Sequence, residues 1–208
     1  MNQGILLSTT YLGPIQYFSK VLKYDKVFIE AHENFIKQTY RNRCVIYAAN
    51  GELTLSIPVT KTNKKELIKD LKIDYSTNWQ KLHWKSIESA YRSSPFFEYY
   101  MDELIPFYNS RYTYLLDFNI EIQNVIIGQL ELETKISLTE TYCFEDDLTD
   151  MDDFRQKIDP KKTIEDKDFL SPEYNQVFID KHGFKPNLSI IDLLFNEGPN
   201  AINLLQAF

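Results

Sequence analysis

The sequence predicts an α/β protein in which an N-terminal βαβ-like unit and a β-hairpin are followed by a mainly helical C-terminal half. Three observations lead to this prediction. Two short apolar runs flank a segment with helical spacing, an Asn-Gly dipeptide separates two further apolar runs, and apolar residues recur at helical intervals beyond residue 78. The 208 residues fit one domain spanning 1–208 that can bury a substantial core.

The N-terminal unit begins with an apolar run over 5–10 that predicts a short buried strand. Gly13 and Pro14 then break the strand, and a helix is predicted over 15–24. A second strand is predicted over 26–30. Because the crossover between these strands is a short helix, the two strands are expected to pair in parallel.

The next predicted unit is a β-hairpin with strands over 43–47 and 53–59. Asn50-Gly51 lies between them, and this dipeptide favours a type I′ turn because both residues tolerate positive φ angles. A further strand is predicted over 68–73, where apolar residues stand at both ends and in the middle.

The C-terminal half is predicted to be mainly helical. The first three helices are predicted over 78–93, 95–108 and 112–130. A late strand is expected over 136–142. Asn187 is then placed to cap a helix over 188–195 that Gly198 ends, and a last amphipathic segment follows over 200–207.

Residues 145–168 change in character, with a crowded acidic run followed by basic residues. Such a charge pattern predicts a mobile surface loop. It does not predict a calcium loop, because the defined alternation of ligands around a glycine turn is missing.

Composition excludes several classes of function. The net charge of −7 argues against general nucleic-acid binding, which needs a basic face. Cys44 and Cys143 lie far apart in apolar contexts, so reduced thiols are expected rather than a zinc site. No segment reaches the ~20 apolar residues of a membrane span, and the N-terminus lacks a secretory pattern. A cytoplasmic protein with no metal and no cofactor is expected, and oligomeric state is not indicated.

The first candidate site is the turn around Tyr11 and Gln16. Gly13 and Pro14 let the chain bend sharply at a strand end, and Gln16 opens a helix whose free N–H groups favour an anion. The turn is either a ligand-facing loop or a purely structural one. Nucleotidyl-transfer enzymes of the HIGH-motif superfamily use this layout, but with histidines that are absent here, so nucleotidyl transfer stays an alternative.

The second candidate site follows the second predicted strand. His32 is a candidate general base that Glu30 or Glu33 would orient. Arg41 and Arg43 are two residues apart, so on a strand they would share a face suited to phosphate. The other polar members of this stretch are Lys37, Gln38 and Asn42. The alternative is a solvated charged loop.

Two further groups are candidates. Trp79 and His83 are spaced i, i+4 and, with Tyr91, could form an aromatic wall for a sugar or base, or else belong to the core. A polar segment at a late helix start either closes a site or only caps the helix; its members are Asn187, Ser189 and Asp192. His32, His83 and His182 lie too far apart in sequence to predict a metal site.

The chain resembles the WbqC-like family over essentially its whole length. The matching segments are YLGPIQYF at 11–18, YRNR at 40–43, LSIPV at 55–59, Trp79 with His83-Trp84, Ala90-Tyr91 with Pro95-Phe96-Phe97 and Tyr99-Tyr100, and LSIIDLLFN at 188–196 with Gly198. Gly13 stands where the family often has a second proline. The family is linked to bacterial surface-polysaccharide (O-antigen) clusters, and some members look like transferases that add an amino-acyl group to an amino sugar.

The residues and the resemblance together predict a cytoplasmic transferase acting on a nucleotide-linked or activated sugar in surface-polysaccharide biosynthesis. Its partner would be a small phosphate-bearing molecule, with neither nucleic acid nor membrane involved. The main alternative is a non-catalytic module that binds a small anion or a protein, because the sequence holds no nucleophile elbow, P-loop or dinucleotide fingerprint.

Overall fold

A parallel four-stranded sheet forms the centre of the computed structural model, which describes residues 4–60, 65–148, 150–161, 166, 168–171 and 173–206. The strand order is β5-β2-β1-β6, with β1 at Gly4–Leu7, β2 at Lys26–Ile29, β5 at Ile136–Leu138 and β6 at Met151–Asp153. A separate antiparallel hairpin consists of β3 at Arg43–Ala48 and β4 at Gly51–Ser56. The helices are α1 at Ile15–Lys23, α2 at Trp79–Tyr91, α3 at Phe97–Asn109, α4 at Leu115–Gln129, α5 at Ile179–His182, α6 at Ile190–Glu197 and α7 at Ala201–Gln206. The predicted fold class is confirmed.

The N-terminal βαβ unit forms as predicted. β1 and β2 pair in parallel, with Ile5 opposite Val27, and α1 connects them. Every residue of β1 is buried, and the strand has a neighbour on both sides, β2 and β6. This central position explains why the strand is apolar without alternation.

The hairpin forms, but its turn is not of type I′. Ala48 pairs with Gly51, so Ala49 and Asn50 are the two turn residues. Gly51 has a φ of +104°, whereas Asn50 does not have a positive φ. A type I′ turn needs positive φ at both central residues, so the predicted turn type is wrong. Gly51 is instead the first residue of β4.

Two predicted strands differ from the structure. The segment 68–73 is not a strand; a 3₁₀ turn spans Ile68–Asp70 and packs against α4. The predicted strand 136–142 ends at Leu138. Beyond it the chain turns, and the Thr139 hydroxyl and the Cys143 N–H both reach the carboxylate of Glu30. The strand ends early because the chain turns after Leu138 to supply these hydrogen bonds to the buried Glu30 carboxylate.

The acidic and basic stretch 145–168 contains regular structure where it is described. β6 at Met151–Asp153 pairs with β1, and the Asp152 carboxylate accepts a hydrogen bond of 2.6 Å from the Tyr24 hydroxyl. Asp166 forms a 2.8 Å ion pair with the buried Lys20 of α1. Positions 149, 162–165 and 167 lie outside the described residues, and the mobility of the stretch stays a prediction.

The C-terminal helices begin and end at recognisable signals. Asn78 caps α2 by accepting from the Lys81 N–H. Gly198 ends α6 with a φ of +54° as predicted, and a Cβ there would lie 2.5 Å from the Phe96 ring. Asn187 does not cap α6, which begins at Ile190 after Ser189. Within the described residues, no helix combines the length and apolar character needed to cross a membrane. The last predicted segment forms α7, and its final position, 207, lies outside the described residues.

Candidate functional site

Polar side chains follow each strand of the parallel sheet at its carboxyl end. They are Ser8 after β1, Glu30 after β2, Thr139 after β5 and Arg155 after β6. Because the strands are parallel, these ends lie at one edge of the sheet. Open α/β sheets bind their ligands at this edge. We call this set, with Glu33 and Arg41, the carboxyl-edge cluster.

Glu30 is the centre of the cluster and is completely buried. Its Oε1 atom accepts the Thr139 hydroxyl at 2.7 Å and the backbone N–H of His32 at 2.9 Å. Its Oε2 atom accepts the backbone N–H of Cys143 at 2.9 Å and Nη1 of Arg155 at 3.2 Å. One carboxylate therefore joins the segments that follow β2, β5 and β6.

Glu33 forms a buried ion pair with Arg41. Arg41 donates from Nε to Oε1 at 2.8 Å and from Nη2 to Oε2 at 2.5 Å. The same Nη2 donates to the Ser8 hydroxyl at 2.7 Å, and that hydroxyl donates to the Arg155 carbonyl at 2.9 Å. Burial raises the pKa of Glu33, and the Arg41 guanidinium opposes this rise. Two-pronged pairing of this kind fixes both side chains.

Arg155 completes the charge balance of the cluster. It pairs with Asp153 at 2.6 Å, and its guanidinium lies 5.0 Å from the centre of the Tyr142 ring. Burial alone would raise the pKa of Asp153, but the Arg155 hydrogen bonds hold it below its ordinary value. When Asp153 is counted with the cluster, three carboxylates and two guanidinium groups leave one net negative charge.

His32 differs from its neighbours because its ring has no hydrogen-bond partner among the described residues. Its side chain is half-buried, and its backbone N–H is held by Glu30. We expected Glu30 or Glu33 to orient the imidazole. The structure instead shows Glu30 fixing the backbone and Glu33 engaged with Arg41. No described residue therefore hydrogen-bonds the imidazole nitrogens.

Exposed basic and polar side chains stand on the segment that follows His32 in the sequence and on the segment that follows β6, and we call them the rim. Lys37 is exposed, and the neighbouring Gln38 has a φ of +63° and accepts a hydrogen bond from the exposed Lys161. Lys157 is also exposed, with its ammonium 4.3 Å from the centre of the Phe154 ring. Lysines of this kind attract phosphate groups.

Arg41 and Arg43 do not share a strand face. Arg41 lies in the turn before β3, where the Asn119 side chain donates to its carbonyl at 2.8 Å, and β3 begins at Arg43. Arg43 is half-buried, and its Nε has no partner among the described residues. Asn42 donates to the Ile57 carbonyl at 2.8 Å.

The aromatic group expected to form a wall lies in the core. The Tyr11 hydroxyl is 3.0 Å from Nδ1 of His83 and 2.9 Å from the Tyr108 hydroxyl. The Trp79 ring packs edge-on against His83 with centroids 5.1 Å apart. His83 is only 3% exposed, and burial lowers its pKa to about 4. His83 is therefore a neutral, hydrogen-bonded core histidine, in agreement with the alternative that this aromatic group belongs to the core.

Tyr91 and Asp192 meet in a separate buried group. The Tyr91 hydroxyl donates to Oδ1 of Asp192 at 2.8 Å, and the Tyr174 hydroxyl donates to Oδ2 at 2.5 Å. The Gln176 amide also donates to Oδ2, at 3.3 Å. Among the described residues no lysine or arginine pairs with Asp192. Burial raises the pKa of this carboxyl to about 6.

The start of α1 is closed by the chain itself. The Ile15 N–H donates to the Leu188 carbonyl at 2.9 Å, and the Gln16 N–H donates to Oδ1 of Asn187 at 2.9 Å. The Ser189 hydroxyl donates to the Leu12 carbonyl at 2.7 Å. These partners occupy the N–H groups that an anion would use. The geometry therefore gives no support to phosphate binding at Gln16, which the nucleotidyl-transfer alternative needs.

Sequence reasoning missed four members of the site region, which are Ser8, Thr139, Cys143 and Arg155. Ser8 could have been found, because it directly follows a predicted strand. The other three lie beyond residue 138, and nothing in their local sequence indicates contact with Glu30. Among the described residues no group of three or more His, Cys, Asp or Glu could hold a metal ion. His182 is half-buried, with Nε2 3.0 Å from the Ala49 carbonyl.

Comparison with known proteins identifies the family. The sequence model of the WbqC-like protein family matches residues 9–165 and 148–204, so the chain belongs to this family. A relative in Mycobacterium tuberculosis (strain ATCC 25618 / H37Rv), described as the uncharacterized protein Rv1507c, is 24% identical over 228 aligned positions. The alignment covers 99% of this chain and 98% of the relative. No solved structure matches the chain.

Proposed function

We propose that this member of the WbqC-like family is a transferase that takes a phosphate-bearing, sugar-linked substrate at the carboxyl end of its parallel sheet. One observation carries the proposal. His32 presents a half-buried imidazole that has no hydrogen-bond partner among the described residues, shortly after β2, on a backbone that Glu30 fixes and in a segment that continues to the exposed Lys37. A histidine held in place with ring nitrogens that no described residue occupies can serve as a general base.

His32 would act as the general base. The acceptor group of the substrate, an amine or a hydroxyl, would lose its proton to an imidazole nitrogen as it attacks the activated carbon of the donor. A bond forms from the acceptor nitrogen or oxygen to that carbon, and the bond to the leaving group breaks with its electron pair. Glu30 would position His32 through the backbone rather than tune the ring directly.

The phosphate of the substrate would lie at the rim. Lys37, Gln38 and Lys161 are the exposed groups there, and Gln38 already contacts Lys161. Arg41 and Arg155 are compensated by buried carboxylates, so they would shape the site and not bind phosphate directly. This assignment moves the expected phosphate contact from Arg41 and Arg43 to the lysines of the rim.

The proposed class of substrate rests on the family resemblance. The resemblance to WbqC-like proteins implies work on surface polysaccharide of the O-antigen type, with amino-acyl transfer to an amino sugar as one form of the reaction. The alternative is a non-catalytic module that binds a small anion or a protein with the same residues. The two functions share a binding site and differ in turnover, so the experiment must measure both.

A thermal-shift screen with nucleotide sugars, followed by product detection with mass spectrometry, tests the proposal. Ligand at ~100 times its dissociation constant should add about 2.7 kcal/mol of stability. The Lys37→Ala/Lys161→Ala variant should lose this shift, whereas Lys85→Ala, an exposed lysine of α2, should keep it.

The His32→Ala variant separates the two functions. It should bind the nucleotide sugar as the wild type does and form no product. If the wild type binds the nucleotide sugar but forms no product when amino-acyl donors and sugar acceptors are supplied, the non-catalytic alternative is favoured. Full turnover by His32→Ala would remove His32 from the mechanism.

A further inference from the structure

A pocket of about 220 Å³ lies where α3, the end of α4 and the start of α7 meet. Its wall includes Tyr99, Tyr100, Gly128, Glu131, Pro199 and Ile202. The pocket shares no residue with the carboxyl-edge cluster. Its volume is below the roughly 300–1,000 Å³ typical of drug-sized ligands, so a smaller molecule would fit.

Two tyrosine rings form one side of this pocket. Tyr99 and Tyr100 pack edge to face with ring centroids 4.8 Å apart. Tyr100 is 2% exposed and therefore fixed by the core, whereas Tyr99 is 72% exposed. The exposed Tyr99 ring can offer its face to a ligand, and the negative face of such a ring attracts a cation.

The surroundings of the pocket are acidic. The two segments that supply its α3 and α4 walls, residues 96–104 and 126–134, contain five carboxylates and no basic residue. The carboxylates belong to Glu98, Asp102, Glu103, Glu131 and Glu133. Burial chiefly raises the pKa of Tyr100, and the negative charge of Glu131 raises it further, which places that charge close to the ring. The C-terminal end of α4 adds further negative potential.

Gly128 keeps the pocket open. Its φ is not positive, so the backbone does not require glycine, and nothing lies within 4 Å of the place a Cβ would occupy. Glycine near the end of a helix is less stabilising than alanine by about 1 kcal/mol. Position 128 therefore has room for a side chain that would stabilise the helix. It nevertheless carries none where it faces the pocket lined by Tyr99, Tyr100 and Glu131.

We propose that this pocket binds a small organic cation, a primary or quaternary ammonium group. The face of the exposed Tyr99 ring would contact the apolar surface and charge of the cation, the buried Tyr100 would hold Tyr99 in place, and Glu131 would supply the opposing charge. The proposal does not depend on the proposed transferase function, because the two sites have no residue in common.

Tetramethylammonium is the probe that tests the site. Its binding to the full chain can be followed by saturation-transfer NMR of its methyl protons, with sodium chloride holding the ionic strength constant. Gly128→Leu should weaken binding at least tenfold by filling the pocket. Ser89→Leu is the matched control, since it adds the same side chain at an exposed position of α2 and should leave binding unchanged.

Two more variants examine the chemistry. Tyr99→Ala should weaken binding about tenfold, and Glu131→Gln severalfold; both side chains are exposed, so folding should be preserved. Neopentyl alcohol, a neutral molecule of similar shape, should bind far more weakly than tetramethylammonium. No binding of tetramethylammonium to the wild type, equal binding of the neutral molecule, or full binding by Gly128→Leu would each overturn the proposal.

Discussion

Replacing Arg41 with methionine should destabilise the protein strongly at neutral pH. The change keeps much of the side-chain volume but removes the charged partner of the buried Glu33 carboxylate. The Ser8 hydroxyl, at 3.2 Å, would still donate a hydrogen bond to that carboxylate. Removing one partner of a buried ion pair typically costs about 3–5 kcal/mol. We therefore expect the free energy of unfolding to fall by about 3–4 kcal/mol at pH 7.

Protonation of Glu33 sets the upper limit of the effect. A glutamate with an ordinary pKa of about 4.3 can be neutralised at pH 7 for about 4 kcal/mol, at about 1.4 kcal/mol per pH unit. Without Arg41 the pKa of Glu33 in the folded state exceeds its value in the unfolded state. The stability of Arg41→Met should therefore be recovered as the pH falls, with a loss of only about 1 kcal/mol left at pH 5.

Urea unfolding of the wild type and the variant at pH 7 and pH 5 measures both quantities. Arg41→Met/Glu33→Gln should recover much of the stability, because no uncompensated charge stays buried. Arg111→Met is the control: its guanidinium is exposed and lies 5.0 Å from the Tyr75 ring centre, so a loss below about 1 kcal/mol is expected. A loss below 1 kcal/mol for Arg41→Met at pH 7, or one independent of pH, would refute the reasoning.

Two further substitutions give independent tests. The pKa of Asp192 is about 6, against 3.8 ordinarily, so its contribution to stability is present below pH 4 and roughly 3 kcal/mol of it is lost as the pH rises through 6. Asp192→Asn should flatten this part of the pH profile of urea unfolding, and an unchanged slope would contradict the assignment. Gly13→Ala should destabilise the protein by about 1–3 kcal/mol, because the new Cβ would lie 2.6 Å from Oγ1 of Thr10. Thermal unfolding measures this change, and a stabilised variant would show that the turn has room.

Hydrophobic periodicity and turn residues predicted the elements whose formation depends mainly on neighbouring residues in the sequence. The strand-helix-strand start, the hairpin and the three long helices follow from periodicity and turn residues. β6 could not be recognised, because its sequence carries Asp152 and Asp153 in an acidic run. The Tyr24 hydroxyl and Arg155 bind those two carboxylates, and neither partner is evident from the sequence.

The candidate site was predictable in part for the same reason. Glu30 and Glu33 stand out because polar residues directly follow an apolar strand. Their long-range partners do not stand out, since Arg155 is 125 residues from Glu30. Asn187 shows the opposite error: its spacing suggests a cap for the helix that follows, whereas its side chain binds the Gln16 N–H at the start of α1.

The most direct test of the proposed site is to observe the imidazole of His32 as a nucleotide sugar is added. The chain has three histidines, and burial keeps His83 neutral with a pKa of about 4, so the ring resonances can be assigned with single His→Ala variants. The account predicts that the His32 ring resonances shift on titration while those of His83 stay unchanged. Binding that leaves His32 unperturbed would place the ligand elsewhere and contradict the account.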